Sequence, residues 1–341
     1  MKLVKIALSI LCLAVGFLSC NKDDDNNDII EVEIRDRGEQ QVADNDSIIK
    51  YLKTHYYNSS ELAAISNPSI EDIIITKFIS GTVPDGNTLL MNAVEKKTVN
   101  YADTNYDFYM LKLNQGGGAD SPSFADSIRA RYEGILLDDT IFDSSLGAPL
   151  DSDLITEIAV EGWRRVFPYY NTAESFIENS DGTISYINKG LGIMFLPSGL
   201  AYFSSSTPSF SAYSPLIFKF ELLQMERNDH DNDGIPSYLE DLNGDGEFTL
   251  DDDTDGDGIS NYLDVDDDDD GIPTIRELKP RTYSVNTNVG EQEPVLEVKE
   301  FEYSRTEAAG IITIKTFTAV DSNNDGIDDY LDKNIAIEYT E

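Results

Sequence analysis

Cysteine is confined to the first twenty residues, as Cys12 and Cys20, and the rest of the chain has none. No disulfide can therefore hold the later domains together. Histidine is almost as scarce: only His55 and His230 occur. His55 falls on the apolar face formed with Ile48, Tyr51 and Leu52, which reads as packing. Positive charge is also sparse. Twenty-five Lys and Arg stand against 64 Asp and Glu, for a net charge of −39. That balance excludes nucleic acid and anionic lipid head groups as natural partners. The apolar run Ile6–Leu18, 13 residues long, is too short for a comfortable membrane span but suits the core of a signal peptide. What is present is ample apolar material: 40% of the 341 residues, with 18 Tyr and 15 Phe. Such a chain can bury two or three real cores.

Lys2 and Lys5 precede the apolar run, which ends in Phe17-Leu18-Ser19-Cys20. That ending resembles a bacterial lipobox. The resemblance implies that Cys20 is lipidated, becomes the mature N-terminus and tethers the protein to a membrane without a spanning helix. The following Asn21-Lys22-Asp23-Asp24-Asp25 resembles the export signal of surface lipoproteins in the Bacteroidetes. Residues 1–20 thus read as a lipoprotein signal peptide and 21–109 as a tether and N-terminal extension. Within the extension, Ile29–Ile34 alternates like an edge strand, and Asp44-Asn45-Asp46-Ser47 offers caps for a helix running through Tyr57. Ile73–Ile79 reads as a strand. No chemistry is visible there.

Five landmarks follow in order: Tyr132-Glu133-Gly134, Ile141-Phe142-Asp143-Ser144-Ser145, Glu161-Gly162-Trp163, Pro197-Ser198-Gly199-Leu200-Ala201-Tyr202, and Pro215–Leu223. Together they resemble the FKBP-type peptidyl-prolyl cis-trans isomerases over residues 110–226, with the preceding region resembling the extension of flavobacterial lipoprotein members. The resemblance implies an α+β fold: a bent antiparallel β-sheet around one short helix. The sequence agrees with this. Ser127–Ile135 and Leu216–Leu223 alternate as strands do, and Ala159–Phe167 can start the helix.

The reaction asks little of a protein. Rotation about an X-Pro bond faces a barrier of roughly 18–20 kcal/mol, and the isomers differ by only about 0.5–1 kcal/mol. No bond breaks, so an aromatic pocket with a few placed polar groups suffices if it favours the twisted amide. By resemblance, Trp163 is the floor under the proline ring. Tyr132, Phe142, Val160 and Phe218 are walls, with carbonyl-facing backbone next to Val160. Tyr202 donates its hydroxyl to a substrate carbonyl, and Asp143 lies near the twisting one. The chain departs from the family in three places. Leu150 replaces an aromatic wall. Phe210 or Tyr213 must supply contacts that the loop after Tyr202 lacks. The segment from Phe167 to Leu191 is long.

The acid is concentrated: residues 227–278 carry 19 Asp and Glu against two Arg. It is also periodic. Five twelve-residue loops bear carboxylates or amides at positions 1, 3 and 5, glycine at 6 and an acid at 12. They are Asp229, Asp231, Asp233 and Glu240; Asp241, Asn243, Asp245 and Asp252; Asp253, Asp255, Asp257 and Asp264; Asp266, Asp268, Asp270 and Glu277; and Asp321, Asn323, Asp325 and Asp332. Alternate oxygens around a sharp glycine turn suit Ca²⁺, which takes 6–8 oxygens at about 2.3–2.6 Å. The loops lack long flanking helices and resemble thrombospondin type 3 repeats, which implies a structural role for calcium. Ile311–Lys315 reads as a strand between the last two loops. Residues 227–341 are thus an irregular calcium-binding region with a partly β segment.

The combined expectation is a lipid-anchored prolyl isomerase of the outer membrane, displayed at the cell surface. Its partners are proline-containing polypeptides, and catalysis needs no cofactor. Two other functions stay open: a non-catalytic module that holds proline segments, and a calcium-dependent surface or adhesion protein. No pocket residue lies in the acidic region, so calcium is expected to leave the isomerase unaffected.

Overall fold

The computed structural model describes residues 34–78, 81–157 and 160–340. The leader, Cys20, the tether and all but the last residue of the expected strand Ile29–Ile34 lie outside these, as does Ala159. Among the described residues no helix is long and apolar enough to cross a membrane. Asp36–Glu341 forms one compact unit that contains every described helix and strand.

The chain enters through helix α1 (Arg37–Thr54), capped by the Asp36 side chain, which accepts the Glu39 amide at 2.9 Å. The helix starts well before the expected capping residues at 44–47. Three of those four residues are absorbed because each finds a partner. Asp44 is buried and takes Gln40 Nε2 at 2.6 Å, Asn45 accepts the Tyr109 hydroxyl at 2.8 Å, and Ser47 bonds back to the Ala43 carbonyl. Short elements follow: β1 (His55–Tyr57), α2 (Ser59–Ala63), β2 (Ile75–Lys77) and β3 (Thr88–Leu89). Strand β2 keeps only the centre of the expected Ile73–Ile79, since Ile73 closes a 3₁₀ turn. His55 stacks on Tyr51 with ring centroids 3.7 Å apart, a packing role.

The main sheet comprises β4 (Glu95–Tyr101), β5 (Thr104–Asn114), β6 (Ser127–Leu136), β7 (Ile141–Ser144), β8 (Leu150–Asp153), β11 (Gly190–Leu196) and β12 (Leu216–Glu226). Its order is β4-β5-β11-β12-β6-β7, all antiparallel, with β8 also pairing β6. The sheet therefore begins with the β4–β5 hairpin, N-terminal to residue 110. Helix α3 (Glu161–Val166) precedes a hairpin of β9 (Ser175–Glu178) and β10 (Ile184–Ile187), which occupies the long insertion.

Both faces of this sheet are covered, and the period-2 pattern of its strands shows it. Leu216, Phe218, Phe220 and Leu222 of β12 join Trp163, Val166 and Phe167 in one core. Ile217 of β12, with Leu191, Ile193 and Phe195 of β11, joins Ile48, Tyr51 and Leu52 of α1 in the other. All seven residues of β11 are buried. The N-terminal extension thus acts as the second layer of the sheet.

After β12 come the acidic loops, joined by short 3₁₀ turns and α4 (Thr274–Glu277), then an antiparallel sheet of β13 (Lys279–Asn286), β14 (Glu300–Ala308) and β15 (Ile311–Thr318) in the order β13-β15-β14. Strand β15 contains the expected Ile311–Lys315.

Candidate functional site

One face of the sheet opens into a cavity of about 120 Å³ beside α3. Tyr132, Phe142, Asp143, Val160, Trp163, Tyr202 and Phe218 all line it. Separate segments bring them together. Tyr132 projects from β6, Phe142 and Asp143 from β7, and Phe218 from β12, while Trp163 rises from the first turn of α3 behind Val160. The rings meet edge to face: Trp163 lies 5.4 Å from Phe218 and 5.0 Å from Tyr132, and Phe142 lies 5.7 Å from Phe218. Such contacts fix ring planes more tightly than aliphatic packing does.

Two glycines make this approach possible. A Cβ on Gly134 would lie 2.5 Å from the Phe142 ring, and one on Gly162 would lie 2.5 Å from Leu196 Cδ1. That is the physical reason for glycine in the Tyr132-Glu133-Gly134 and Glu161-Gly162-Trp163 landmarks.

The polar groups are few. Tyr132 donates its hydroxyl to Asp143 Oδ2 at 2.6 Å, and Asp143 Oδ1 accepts the Ser144 amide at 2.8 Å. Burial, then this bond to Asp143, raises the Tyr132 hydroxyl above the ordinary phenol range, so it stays protonated and donating. Burial and then the Asp143 charge raise Tyr202 as well. Among the described residues the Tyr202 hydroxyl has no hydrogen-bond partner, and Trp163 Nε1 is buried without one. Both are donors that an incoming carbonyl could satisfy.

Tyr202 is held from the opposite face of the sheet. Its loop begins with the 3₁₀ turn Ser198–Leu200, and Asp44 of α1 accepts both the Ser198 amide at 2.8 Å and its hydroxyl at 2.6 Å. Phe210 fills the gap left in the loop after Tyr202, 5.0 Å from Phe142 and 5.2 Å from Tyr202. Tyr213 instead pairs with Phe203. Leu150 supplies the wall expected of it, and Ser152 and Glu157, which sequence reasoning missed, complete the lining. Strand alternation from Leu150 was the signal for Ser152.

The five acidic loops repeat one geometry. In each, the seventh residue's amide bonds to the fifth residue's carboxylate, at 2.8 Å (Ile235–Asp233), 2.8 Å (Glu247–Asp245), 2.8 Å (Ile259–Asp257), 2.7 Å (Ile272–Asp270) and 3.0 Å (Ile327–Asp325). The sixth-position glycines have φ between 79° and 99°, a region that side chains disfavour. Carboxylate oxygens converge to within 4.8 Å in three loops: Asp229, Asp231 and Asp233; Asp253, Asp255 and Asp257; Asp266, Asp268 and Asp270. In the second and fifth loops the third ligand position is an amide, Asn243 or Asn323, each accepting the amide of the fifth residue at 2.8 Å.

The twelfth-position acids divide. Glu240 and Glu277 are buried with both oxygens unpaired. Asp252 instead accepts the Leu242 and Thr249 amides, and Asp332 accepts the Asn334 amide and the Asn323 side chain. Asp264 is pushed up by burial and by the carboxylates of the third loop. Burial, then neighbouring carboxylates, pushes Glu277 to about 8. Groups of buried, unpaired acid oxygens such as these could hold a cation.

A second recurring residue escaped the sequence. Ser237, Asn261, Thr274 and Asp329, the ninth residues of four loops, are buried and bond back to the second residue's amide at 2.8–3.2 Å. Their constant seven-residue offset was a usable signal.

The acidic region also touches the cavity's frame. Arg164 and Arg165 of α3 each donate to Glu161, at 2.5 and 2.8 Å, and each donates to one oxygen of Glu247 in the second loop. His230 of the first loop meets Asp153, at the end of β8, at 3.0 Å. Phe248 stacks on Tyr262 at 3.9 Å and meets Phe124 at 5.3 Å. These contacts link the acidic region to the elements that frame the pocket. The region shares no lining residue with the pocket, but it grips the helix that carries Trp163.

Residues 230–304 match a family described as BamM C-terminal. The FKBP-type 22 kDa peptidyl-prolyl cis-trans isomerase of Escherichia coli (strain K12) is 26% identical over 154 residues, 45% of this chain and 66% of that protein. The FKBP-type isomerase FkpA of Buchnera aphidicola is 26% identical over 159 residues, 46% of this chain and 55% of that protein. The chain thus spans less than two thirds of the length of these relatives. Among solved structures, a peptidyl-prolyl cis-trans isomerase from Pseudomonas syringae pv. tomato is 17% identical with a TM-score of 0.31, over 57% of this chain and 99% of that one. FkpA from Escherichia coli is 23% identical with a TM-score of 0.30, over 40% and 55%. The chain is a distant relative of FKBP-type peptidyl-prolyl cis-trans isomerases and carries a BamM C-terminal domain.

Proposed function

We propose that the chain is a peptidyl-prolyl cis-trans isomerase acting on proline-containing segments of exported or envelope polypeptides. The observation that carries this reading is the cavity in which Tyr132, Phe142, Asp143, Val160, Trp163, Tyr202 and Phe218 meet. The distant relationship to FKBP-type isomerases supports it. Catalysis needs no covalent step. The proline ring settles against Trp163 between Tyr132, Phe142 and Phe218, and the amide leaves water. Desolvation favours the twisted, less polar amide over the planar one. The free Tyr202 hydroxyl anchors a substrate carbonyl. The Tyr132 bond fixes Asp143, whose charge faces the carbonyl that rotates. A proline-limited refolding assay tests this. Acceleration by the wild type, with large loss in Trp163→Ala and smaller loss in Tyr202→Phe, is the expected result. Binding of proline peptides without acceleration would instead make the pocket a holding module.

The acidic loops are read as calcium sites. The unpaired buried oxygens of Glu240, Asp268, Asp270 and Glu277 support this, and calorimetric titration with Ca²⁺ tests it. The leader sequence and the BamM C-terminal match support an envelope location with an acyl anchor at Cys20. Loss of membrane fractionation in Cys20→Ser tests the anchor.

A further inference from the structure

We infer that the acidic region holds a cation that no single loop can bind, clamped between the first loop and the fourth by Asp233, Glu240 and Asp267. One oxygen from each of these three lies within 4.8 Å of the other two. All three side chains belong to buried residues, with relative exposures of 1%, 0% and 1%. Four of their six oxygens have no hydrogen-bond partner: Asp233 Oδ2, both oxygens of Glu240, and Asp267 Oδ1. The other two have specific partners. Asp233 Oδ1 accepts the Ile235 amide, and Asp267 Oδ2 accepts the Thr274 hydroxyl at 3.2 Å. Among the described residues none of the three makes an ion pair with Lys, Arg or His.

Three carboxylates gathered out of water without a counter-charge are strongly unfavourable. A divalent cation removes the conflict, and an all-carboxylate donor set selects a hard ion such as Ca²⁺. Asp233 also belongs to the cluster with Asp229 and Asp231. It would bridge two adjacent ions, one held within the first loop and one shared with the fourth. Asp267 is the second residue of its own loop, a position that takes no part in the 1, 3, 5 and 12 pattern. Within the fourth loop Thr274 satisfies the Asp267 amide and Oδ2, and the clamp accounts for the buried Oδ1 that Thr274 leaves unpaired. The clamp folds the chain between residues 240 and 267 back on itself and gives the region a closed tertiary structure instead of a string of independent loops.

This inference rests on the calcium reading of the loops, and the two can fail separately. The experiment is calorimetric Ca²⁺ titration of the metal-stripped full chain, alongside bound-calcium determination by elemental analysis. Wild type and the variants Asp267→Asn, Glu240→Gln and the double variant are compared, with Asp255→Asn as a variant confined to the third loop. The expected result is that Asp267→Asn and Glu240→Gln each lose one equivalent of calcium, and the double variant loses the same one. Proteolysis in saturating calcium should then cut Asp267→Asn within 241–266 at sites protected in the wild type. An unchanged calcium count in Asp267→Asn while Asp255→Asn loses an ion overturns the clamp alone. A wild type that binds no calcium overturns both readings. Trp163 fluorescence verifies that each variant is folded. Should Asp267→Asn not fold, terbium-to-europium energy transfer in the wild type decides: transfer at the distance of two ions sharing one carboxylate supports the clamp, and its absence refutes it.

Discussion

Under the proposed function, Glu247→Gln should slow prolyl isomerisation, although Glu247 is outside the pocket. Its two oxygens each take a guanidinium, one from Arg164 and one from Arg165, and the same two arginines share Glu161. The arginine side chains are 9% and 8% exposed, Glu161 12% and Glu247 25%. The cluster is neutral, with two cations and two anions. Removing one carboxylate leaves two nearly buried guanidinium groups on one acid. Burial and then the Arg164 charge lower the pKa of Arg165, against the opposing pull of Glu161 and Asp245. Breaking a buried ion pair costs about 3–5 kcal/mol. Glutamine keeps the shape and some hydrogen bonding, and Glu247 is partly wet, so about 2–3 kcal/mol is expected here. The strain falls on α3, whose residue next to Arg164 is Trp163. A displacement of about 1 Å in a positioned group can cost about 10²-fold in rate, so a partial shift predicts a kcat/KM lowered about tenfold. Chelation should act in the same direction, because Glu247 is the seventh residue of the second loop and its amide is fixed by Asp245 at 2.8 Å. Peptide isomerisation and Trp163 fluorescence, measured with calcium and with chelator, read both effects. Unchanged kcat/KM and fluorescence in Glu247→Gln would refute the argument, as would full activity in protein shown to be calcium-free.

Other perturbations test separate parts of the structure. Gly134→Ala would set a methyl 2.5 Å from the Phe142 ring; thermal melts should show a loss of about 1–3 kcal/mol, with activity falling further as that wall is displaced. Asp44→Ala strips the buried acceptor from the Ser198 amide and hydroxyl. It should cost about 2–4 kcal/mol in denaturant unfolding and raise KM more than it lowers kcat, because the Tyr202 loop loosens. Glu300 gives a pH signature. Burial alone would raise its pKa, but the Glu297 amide, the hydroxyls of Thr316 and Tyr283, and Arg281 together hold it below the ordinary carboxylate range. A depressed folded value contributes stability that is complete above the unfolded pKa of about 4.3 and is lost as pH falls through the folded one. Protection of the β13–β15 amides, taken relative to the intrinsic exchange rate at each pH, should therefore fall below about pH 4 in the wild type, while Glu300→Gln is less protected at neutral pH and lacks that acid step.

Much of the site was legible because its residues sit in patterned elements. The alternation of Leu216–Leu223 and Ser127–Ile135 put Phe218 and Tyr132 on strands, and glycine at the sixth position marked each acidic loop. What escaped were partnerships made across long stretches of chain. Asp44 reads as a cap until Ser198 is found beside it. Asp267 reads as one more acid in a run of five until Glu240 lies against it. Glu247 occupies the seventh loop position, outside the repeating 1, 3, 5 and 12 pattern, and nothing local reveals that two arginines of α3 close on it. Leu150 and Phe210 were foreseen as substitutes for missing family residues, since an empty wall demands a filler. Ser152 and Glu157 had no such demand behind them.

The double covering of β11 and β12 has a consequence for how the molecule can be made. Helix α1 packs partly on residues made soon after it, Leu90, Tyr109 and Leu111, and partly on Leu191, Ile193, Phe195 and Ile217 from much later in the chain. The Asp44–Ser198 bond closes a separation of 154 residues. Loop closure of that length slows folding, and no early fragment can reward it. A chain interrupted before β11 would leave Ile48, Tyr51 and Leu52 with only the early half of that core. The second layer of the sheet therefore closes fully only once β11 and β12 are in place.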